Sequence, residues 1–399
     1  MKSKKKIDEQ KIFERYPVQT LLIINCLIII FLDYTLTKSY QIYKNSKISQ
    51  PQGEVIGKKH QTYHHDFIKN GEYHSKDPKY NVFTNSLGFK DKSIKDISID
   101  GNKKRILFMG DSFTEGFMKN YDDSFVGLIS EYLYSDSIEV LNGAVSSYST
   151  SIYWKKIQYL LENVNLEFDE VVVFIDISDL HDEISSYIVK DGKVVERSTK
   201  LFLKKNSVKP PTHLKDKIAY FLKNNFLFIY RVTDFIHDML KLNKQENLKY
   251  LNNSENPNPW SWMLKPDYFR GNWTWMRFND HHAALIEEGK ALMSNQMDSL
   301  LSLLNKNKIN LTVAVYPWPN QIYYNDLNSL HVEIWEKWCK ENNVRFINFF
   351  PEFFSNNLSL RERMSIIEKY YIKADMHFNK TGNLLIANEF LDFYKSEFK

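Results

Sequence analysis

The amino-acid sequence predicts an α/β protein with a parallel central sheet, because short apolar runs alternate along the chain with segments of helical spacing. The run VVVFI is rich in β-branched residues, which is typical of a parallel strand buried on both faces. The alternation is interrupted near the middle of the chain and then resumes. The predicted strands are 105–109, 138–141, 171–175, 311–316 and 345–349, and the predicted helices are 123–133, 153–161, 330–341 and 381 to about 398.

The interruption, at about residues 184–280, is interpreted as a cap inserted in the α/β domain. It opens with a hairpin pattern at 189–194, continues through prolines at 210–211 and contains an amphipathic helical pattern near 214–242. Two interpretations of its aromatic residues stay open: a platform on which sugar rings stack, and a seal between cap and core. The tryptophans concerned are Trp260, Trp262, Trp273, Trp275 and the later Trp318.

Length and composition favour a globular protein and exclude several classes. Of the 399 residues, 43% are hydrophobic and 26% are charged, so the chain can bury a sizeable core. The net charge of +4 is small and the charges are interspersed, which argues against a nucleic-acid partner. Cys26 lies in an apolar run and Cys339 in a predicted helix, so neither supports a metal site or a disulfide framework.

The N-terminal segment has the features of a membrane anchor. Residues 1–17 form a basic head, and residues 18–36 are mostly Leu, Ile and Val; as a helix they would span about 28 Å, close to the thickness of a bilayer core. Without a small-residue cleavage pattern, an uncleaved signal anchor is expected, with the head cytoplasmic and the rest periplasmic or extracellular. The alternative to the anchor is a buried core helix.

After the anchor, residues 37–80 are predicted to be a linker and lead-in, and residues 81–399 are predicted to form the main domain.

The turn after the first predicted strand lies where open parallel sheets bind their ligands, beyond the carboxyl ends of the strands. It reads GDSFTEG, from Gly110 to Gly116, and glycine at both ends permits a tight turn that leaves the hydroxyl of Ser112 accessible. The turn matches the G-D-S-x-T-x-G block of the SGNH/GDSL hydrolases, which implies that Ser112 is a nucleophile. The alternative is that Asp111 and Ser112 only cap the following helix.

Near the C-terminus, Asp375 and His377 precede the last predicted helix and resemble the final block of the same family. A serine hydroxyl needs a base to take its proton, and that base works best when a carboxylate orients it. The resemblance implies that His377 is the base and Asp375 its orienting group. The pair is two residues apart, which resembles membrane-anchored, polysaccharide-modifying members, whereas the family often spaces it three apart.

Two middle blocks resemble the family more weakly. The segment that begins at Asn142 is similar to N-x-G-x-x-G, but Ser147 stands at the second glycine position. After the strand VVVFI the family has G-x-N-D, and here Ser178 replaces the oxyanion asparagine with a shorter side chain. The resemblance therefore implies an oxyanion hole formed by the N–H groups of Ser112 and Ser147 together with Ser178.

Three further residues of these blocks are assigned supporting roles at the site: Asp111, Asn142 and Asp179. A turn or a helix cap explains Asp179 equally well. Upstream, the segments 84–89 and 64–66 resemble recurring features of the family without an assignable catalytic role. The adjacent His64 and His65 are expected to point to opposite faces of a strand, so no shared metal ion is predicted. The same argument covers the pair at 281–282, and no cofactor is predicted.

The resemblance covers roughly residues 80–180 and 310–395 and implies a flavodoxin-like, three-layer α/β/α SGNH hydrolase domain. The predicted function is a serine esterase acting on ester-linked acyl groups, with O-acetyl groups on cell-envelope glycans as the expected substrate. Two alternatives stay open. One is an O-acyltransferase that passes the acyl group to an extracytoplasmic polysaccharide, working with a membrane-bound O-acyltransferase. The other is a non-catalytic glycan-binding protein. The absence of paired cysteines in an external domain favours a bacterial protein.

Overall fold

A computed structural model of the chain describes residues 16–48, 57–76, 78–197, 258–265, 268–275, 280–355 and 358–397, and isolated positions between 221 and 232. Two compact units divide the chain: Met1–Gln52 with Lys200–Tyr250, and Gly53–Thr199 with Leu251–Lys399. The expected amphipathic helix near 214–242 and the prolines at 210–211 lie outside the described residues, apart from those isolated positions.

The second unit contains twelve described strands. They are β1 Gly57–His60, β2 His64–Phe67, β3 Glu72–Lys76, β4 Lys79–Thr84, β5 Lys90–Asp91, β6 Lys104–Met109, β7 Ile138–Asn142, β8 Glu170–Ile175, β9 Tyr187–Lys190, β10 Lys193–Glu196, β11 Asn310–Val315 and β12 Arg345–Asn348. The pair β9–β10 is the hairpin expected at 189–194, with its turn at Asp191 and Gly192.

The described helices begin with α1 in the first unit, and all the others belong to the second unit. They are α1 Pro17–Ile48, α2 Ser112–Glu115, α3 Phe125–Tyr134, α4 Thr150–Tyr159, α5 Asp179–Ser185, α6 Phe269–Asn272, α7 Asp280–Lys306, α8 Pro319–Tyr323, α9 Leu330–Asn342, α10 Leu360–Tyr370 and α11 Lys380–Glu397. Helix α4 continues into one π-helical turn, Leu160–Val164.

Eight strands form one sheet in the order β12-β11-β8-β6-β7-β5-β4-β3. The five strands from β12 to β7 run parallel. When they are numbered along the chain and read from the β7 edge, their order in the sheet is 2-1-3-4-5. This is the flavodoxin-like order of doubly wound sheets, so the predicted fold class is confirmed. Strands β5, β4 and β3 extend the β7 edge in antiparallel fashion, and of these only β3 lies wholly within the expected lead-in, residues 37–80.

Helices cover both faces of the parallel sheet. On one face, the rings of Phe108 and Phe390 lie 5.2 Å apart and those of Phe125 and Phe174 lie 4.7 Å apart, which attaches α11 and α3 to the central strands. On the other face, α7 packs against α4 and α5. All six residues of β8 are buried, as the apolar run VVVFI predicted.

A buried ion pair attaches the β1–β2 hairpin to α4. The ammonium of Lys156 is fully buried and lies 2.9 Å from a carboxylate oxygen of Asp66. The hydroxyl of Tyr63 donates to the other oxygen at 2.6 Å, and the hydroxyl of Tyr148 lies 3.2 Å from the same ammonium. Because two desolvated charges are stable only when paired and hydrogen-bonded, this network fixes the hairpin against the domain.

In the first unit, α1 begins at Pro17 and continues to Ile48, past the expected end of the apolar segment at residue 36. The stretch Pro17–Tyr40 is long and apolar enough to cross a membrane, and only 11% of its apolar window is buried. The carboxylate of Asp33, a charge within this stretch, accepts the backbone N–H groups of Phe228 and Ile229 at 2.9 and 3.0 Å. Both carboxylate oxygens of Asp33 therefore have hydrogen-bond donors within the chain.

Candidate active site

The nucleophile turn connects β6 to the short helix α2. The carboxylate of Asp111 accepts the N–H of Phe113 at 3.0 Å, so Asp111 does cap this helix, as the alternative interpretation proposed. A Cβ at Gly110 would lie 2.1 Å from the hydroxyl of Thr114, and Gly116 ends the helix with φ at +78°. Only glycine fits both positions without strain, and the turn leaves the hydroxyl of Ser112 uncommitted to capping.

The structure brings Ser112, His377 and Asp375 together, although the first two are far apart in sequence. The Nε2 atom of His377 lies 2.7 Å from the hydroxyl oxygen of Ser112. Its Nδ1 atom lies 2.5 Å from an oxygen of Asp375, which also accepts the backbone N–H of His377 at 2.8 Å. With the carboxylate bound to Nδ1–H, Nε2 is the nitrogen that is free to accept the serine proton.

The surroundings keep Asp375 ionised. Burial opposes its charge, but hydrogen bonds from His377 and the positive charge of Lys119 outweigh that effect and lower the pKa of Asp375 below its ordinary value. The imidazole of His377 is held between the rings of Phe113 and Phe117, with each pair of centroids 4.8 Å apart. The carboxylate and the two rings therefore fix the orientation of the imidazole.

Two tryptophans of the expected cap hold the loop that carries Asp375. The indole N–H of Trp260 donates to the carbonyl of Asp375 at 2.9 Å, and that of Trp262 donates to the carbonyl of Ala374 at 3.0 Å. Ala374 has φ at +65°, a conformation that needs such support. Trp260 is buried and acts as a seal, whereas Trp262 is 43% exposed beside the triad. Burial favours the seal for Trp260, whereas the sugar platform stays a prediction for the exposed Trp262.

The loop after β7 carries Ser147. This residue is exposed and has φ at +65°, which explains why the corresponding family position is a glycine. Its neighbour Ser146 donates its N–H and hydroxyl to Glu115 at 2.6 and 2.5 Å, which ties the loop to α2. The N–H groups of Ser112 and Ser147 have no acceptor among the described residues, so both can donate to a ligand.

Asn142 joins the same loop to the nucleophile helix. Its side-chain N–H donates to the carbonyl of Thr114 at 2.9 Å, and its side-chain oxygen accepts the N–H of Ala144 at 3.2 Å. Asp179 begins α5, and one of its oxygens accepts the hydroxyl of Tyr153 at 2.9 Å. Neither side chain has a described contact with Ser112 or His377, and their supporting roles stay predictions.

Ser178 is also buried, with only 1% of its surface exposed. Its N–H donates to Asp176 at 2.6 Å, and its hydroxyl oxygen accepts a hydrogen bond from the guanidinium of Arg270 at 3.2 Å. The same guanidinium nitrogen donates to Asp182 at 2.8 Å. Arg270 and Asp182 are not part of any motif and were missed by the sequence analysis, since a single arginine in an irregular stretch carries no recognisable signal.

Three buried carboxylates lie behind the nucleophile: those of Asp111, Asp176 and Asp179 have oxygens within 4.8 Å of one another. That spacing could accommodate a cation, but Asp176 receives the hydroxyl of Tyr316 at 2.9 Å and the indole N–H of Trp318 at 2.6 Å. Burial, then the negative charge of Asp176, raises the pKa of both Asp111 and Asp179. Hydrogen-bond donors therefore surround Asp176, and burial favours the neutral form of the other two carboxyls.

Both upstream segments support the site. The ammonium of Lys90, just after the segment 84–89, donates to the carbonyls of Gly116 and Lys119 at 2.7 and 2.9 Å and so fixes the end of the nucleophile turn. The Nε2 atom of His65 lies 2.9 Å from the carbonyl of Ser146, in the Ser147 loop. Lys90 and His65 therefore hold the turn that carries Ser112 and the loop that carries Ser147.

The expectation that His64 and His65 point apart is wrong, because their Nδ1 atoms lie 2.8 Å from each other. His64 has φ at +79°, which interrupts the strand alternation and turns its ring towards its neighbour. Burial lowers the pKa of both, that of His65 to about 4, so the pair shares a hydrogen bond between neutral rings. The side chains at 281–282 lie outside the described residues.

No protein-family profile and no curated protein matches the chain. Among solved structures, an acetyl xylan esterase, AlAXEase, is 12% identical and has a TM-score of 0.37, over 72% of this chain and 98% of that one. A GDSL-like lipase from Bacteroides thetaiotaomicron is 12% identical with a TM-score of 0.35, over 75% of this chain and 93% of the lipase.

A two-domain esterase active on acetylated mannans is 10% identical with a TM-score of 0.35, and the match covers 73% of this chain but only 49% of the esterase. Similarities of this size carry no weight for function. The assignment of the site therefore rests on the geometry of Ser112, His377 and Asp375 and on the sequence blocks around them.

Proposed function

We propose that this chain is a serine esterase of the SGNH/GDSL type, with Ser112 as nucleophile, His377 as base and Asp375 as its orienting group. The observation that carries the proposal is the continuous hydrogen-bonded chain from the Ser112 hydroxyl through the imidazole to an ionised carboxylate. It lies at the carboxyl edge of the parallel sheet, where doubly wound folds bind ligands.

The residues support a two-step acyl transfer. The Ser112 oxygen attacks the ester carbonyl carbon while Nε2 of His377 takes the hydroxyl proton, and the carbonyl π electrons move to oxygen. The N–H groups of Ser112 and Ser147 donate to that oxyanion. The C–O bond then breaks, His377 returns the proton to the departing alcohol, and an acyl group remains on Ser112. Water activated by His377 releases it in the second step.

The proposed substrate is an acyl ester on a cell-envelope glycan, with acetyl as the acyl group. The spacing of Asp375 and His377 supports this, because it resembles that of polysaccharide-modifying members. The exposed indole of Trp262 beside the triad supports it as well, since an aromatic face can stack on a sugar ring. An O-acyltransferase would form the same acyl-enzyme and pass the acyl group to a sugar hydroxyl instead of water.

The test uses the full-length protein in detergent micelles, with a fluorophosphonate probe and 4-nitrophenyl acetate. We expect one covalent adduct, located at Ser112 by peptide mass spectrometry, and release of 4-nitrophenol that stops when the site is labelled. A folded protein that neither labels nor hydrolyses the ester would favour the non-catalytic, glycan-binding alternative. Acetylated oligosaccharide products formed when free sugars are added would identify a transferase.

We also propose that α1 anchors the protein in a bacterial membrane with residues 1–17 in the cytoplasm and the catalytic unit outside. The length and exposure of the apolar stretch and the basic residues before it support this topology. Alkaline phosphatase, which folds only outside the cytoplasm, should be active when fused after Lys399. A cytoplasm-specific reporter that is active at the same position would contradict the orientation.

A further inference from the structure

The place where the sequence predicts the third oxyanion donor is covered by a side chain from the insertion. Ser178 itself is 1% exposed, and its hydroxyl oxygen accepts a hydrogen bond from Nη2 of Arg270. The side chain of Arg270, which belongs to α6, is 32% exposed. At this position the guanidinium reaches solvent and the serine hydroxyl does not.

Two side chains bind the guanidinium of Arg270, but not all of its N–H donors have acceptors. Its Nη2 atom donates to Ser178 at 3.2 Å and to Asp182 at 2.8 Å. Its Nε atom is buried without a hydrogen-bond partner among the described residues. A guanidinium has five N–H donors in a rigid plane, and a buried donor without an acceptor destabilises the folded protein. The Nη1 atom has no hydrogen bond to a described residue, so it is the donor of Arg270 that a ligand oxygen can engage.

Arg270 contacts the turn that follows β8, the strand next to the one that leads into Ser112. Strands β6 and β8 are adjacent and parallel, with Met109 opposite Val173, and neighbouring strands lie about 4.8 Å apart. Ser112 and Ser178 each follow the last residue of their strand by three positions. Burial and the charge of Asp176 raise the pKa of Asp111, and the positive charge of Arg270 opposes them, so the guanidinium acts on the residue next to Ser112.

We propose that Arg270 donates the third hydrogen bond to the oxyanion that forms on the substrate carbonyl, and that Ser178 and Asp182 are positioning residues for its guanidinium. The inference rests on the proposed esterase function and names a catalytic residue supplied by the insertion. When the carbonyl π electrons move to oxygen, Arg270 contributes charge and N–H donors beside the backbone N–H groups of Ser112 and Ser147. It transfers no proton.

The ion pair with Asp182 suits this role. Burial opposes the charge of Arg270, but Asp182 together with Tyr268, Asp176 and Asp111 outweighs that effect and raises the pKa of Arg270. The guanidinium therefore stays charged throughout turnover and needs no reorganisation when the oxyanion forms. A serine hydroxyl at this position is short and has a single proton, whereas the arginine fork covers a wider range of oxyanion positions.

The test compares Arg270→Met and Arg270→Lys with Asp182→Asn in the full-length protein, using 4-nitrophenyl acetate. We expect Arg270→Met to lower kcat by about a hundredfold with KM within about twofold, because the hydrogen bond forms mainly in the transition state. Asp182→Asn keeps the guanidinium and should lower kcat by less than about tenfold. Melting temperatures of all three variants monitor folding.

Chemical rescue separates a catalytic role from a structural one. Arg270→Gly leaves room for a guanidinium ion, so non-denaturing guanidinium chloride should raise its kcat at least about tenfold, while Arg270→Met should not respond. Folded Arg270→Met with parental kcat would overturn the proposal. Equal losses in Arg270→Met and Asp182→Asn without rescue would show that the arginine only pairs with Asp182, and would overturn it as well.

The outcomes also separate this inference from the proposed function. An active parent protein whose Ser112 is labelled, together with unchanged Arg270 variants, would reject the role of Arg270 alone. A parent protein that is folded but neither labels nor hydrolyses the ester would reject the esterase function and the role of Arg270 with it. If Arg270→Met and Arg270→Gly do not fold, the test is Arg270→Lys, which keeps the charge but loses the planar fork. A lowered kcat in folded Arg270→Lys would support the proposal, and a parental kcat would overturn it.

Discussion

Replacing Ser112 with alanine should lower kcat for 4-nitrophenyl acetate by at least about a thousandfold, as removal of a triad nucleophile does in other serine hydrolases. The hydroxyl oxygen is the only atom at this position that can form the acyl-enzyme, and its hydrogen bonds are to Asp111 and His377. Because Asp111, not Ser112, caps α2, the substitution should leave the melting temperature nearly unchanged.

The matched control is Ser135→Ala, since Ser135 is exposed and, among the described residues, its hydroxyl bonds the carbonyl of Tyr132. This variant should keep the parental kcat and the parental labelling by fluorophosphonate. The measurements are kcat from single time courses at saturating ester and the labelled fraction by intact-mass spectrometry. A Ser112→Ala protein that retains a tenth of the parental rate would end the nucleophile assignment.

The parallel part of the fold was predictable because its central strands, β6 and β8, are buried on both faces and are therefore mostly apolar. The predicted run 171–175 became Glu170–Ile175, and the predicted final helix from 381 to about 398 became Lys380–Glu397. The antiparallel extension was not predictable in the same way. Strands such as Glu72–Lys76 alternate between exposed and half-buried positions and carry no apolar run.

The triad residues could be named from the sequence because a nucleophile turn and a base loop have local requirements. The sequence has a glycine on each side of Asp111 and Ser112. It also has an Asp two residues before a His, just ahead of the last helix. The supports of those residues could not be named, because they come from distant segments. Trp260 reaches the carbonyl of Asp375 over 115 positions, and Arg270 reaches Ser178 over 92.

The two departures from the family blocks have different physical outcomes. Ser147 adopts a φ of +65°, so a serine replaces the glycine at the cost of some backbone strain while its N–H stays free to donate. Ser178 is buried and its hydroxyl oxygen accepts a hydrogen bond from Arg270, so its role as an oxyanion donor stays a prediction. The first departure preserves a backbone donor, and the second coincides with a new side chain from the insertion.

Replacing Asp375 with asparagine should lower kcat for 4-nitrophenyl acetate by about ten-thousandfold at pH 8, the size of the loss seen for this change in another Ser-His-Asp enzyme. The amide can donate an N–H to Nδ1 of His377, where the carboxylate now accepts one at 2.5 Å. The imidazole proton would then move to Nε2, which could no longer accept the proton of Ser112.

The loop that carries Asp375 should survive this substitution, because Trp260 and Trp262 bind its backbone carbonyls, although the backbone N–H of His377 loses the oxygen that it now shares with Nδ1. The melting temperature is therefore expected to change little, and the loss should appear in kcat and in the rate of fluorophosphonate labelling. Asp392→Asn is the control, since that carboxylate is 75% exposed and only faces Lys395 at 3.8 Å. A folded Asp375→Asn protein within tenfold of the parental kcat would show that the imidazole is oriented by another group, and Asp375 would have no place in the triad.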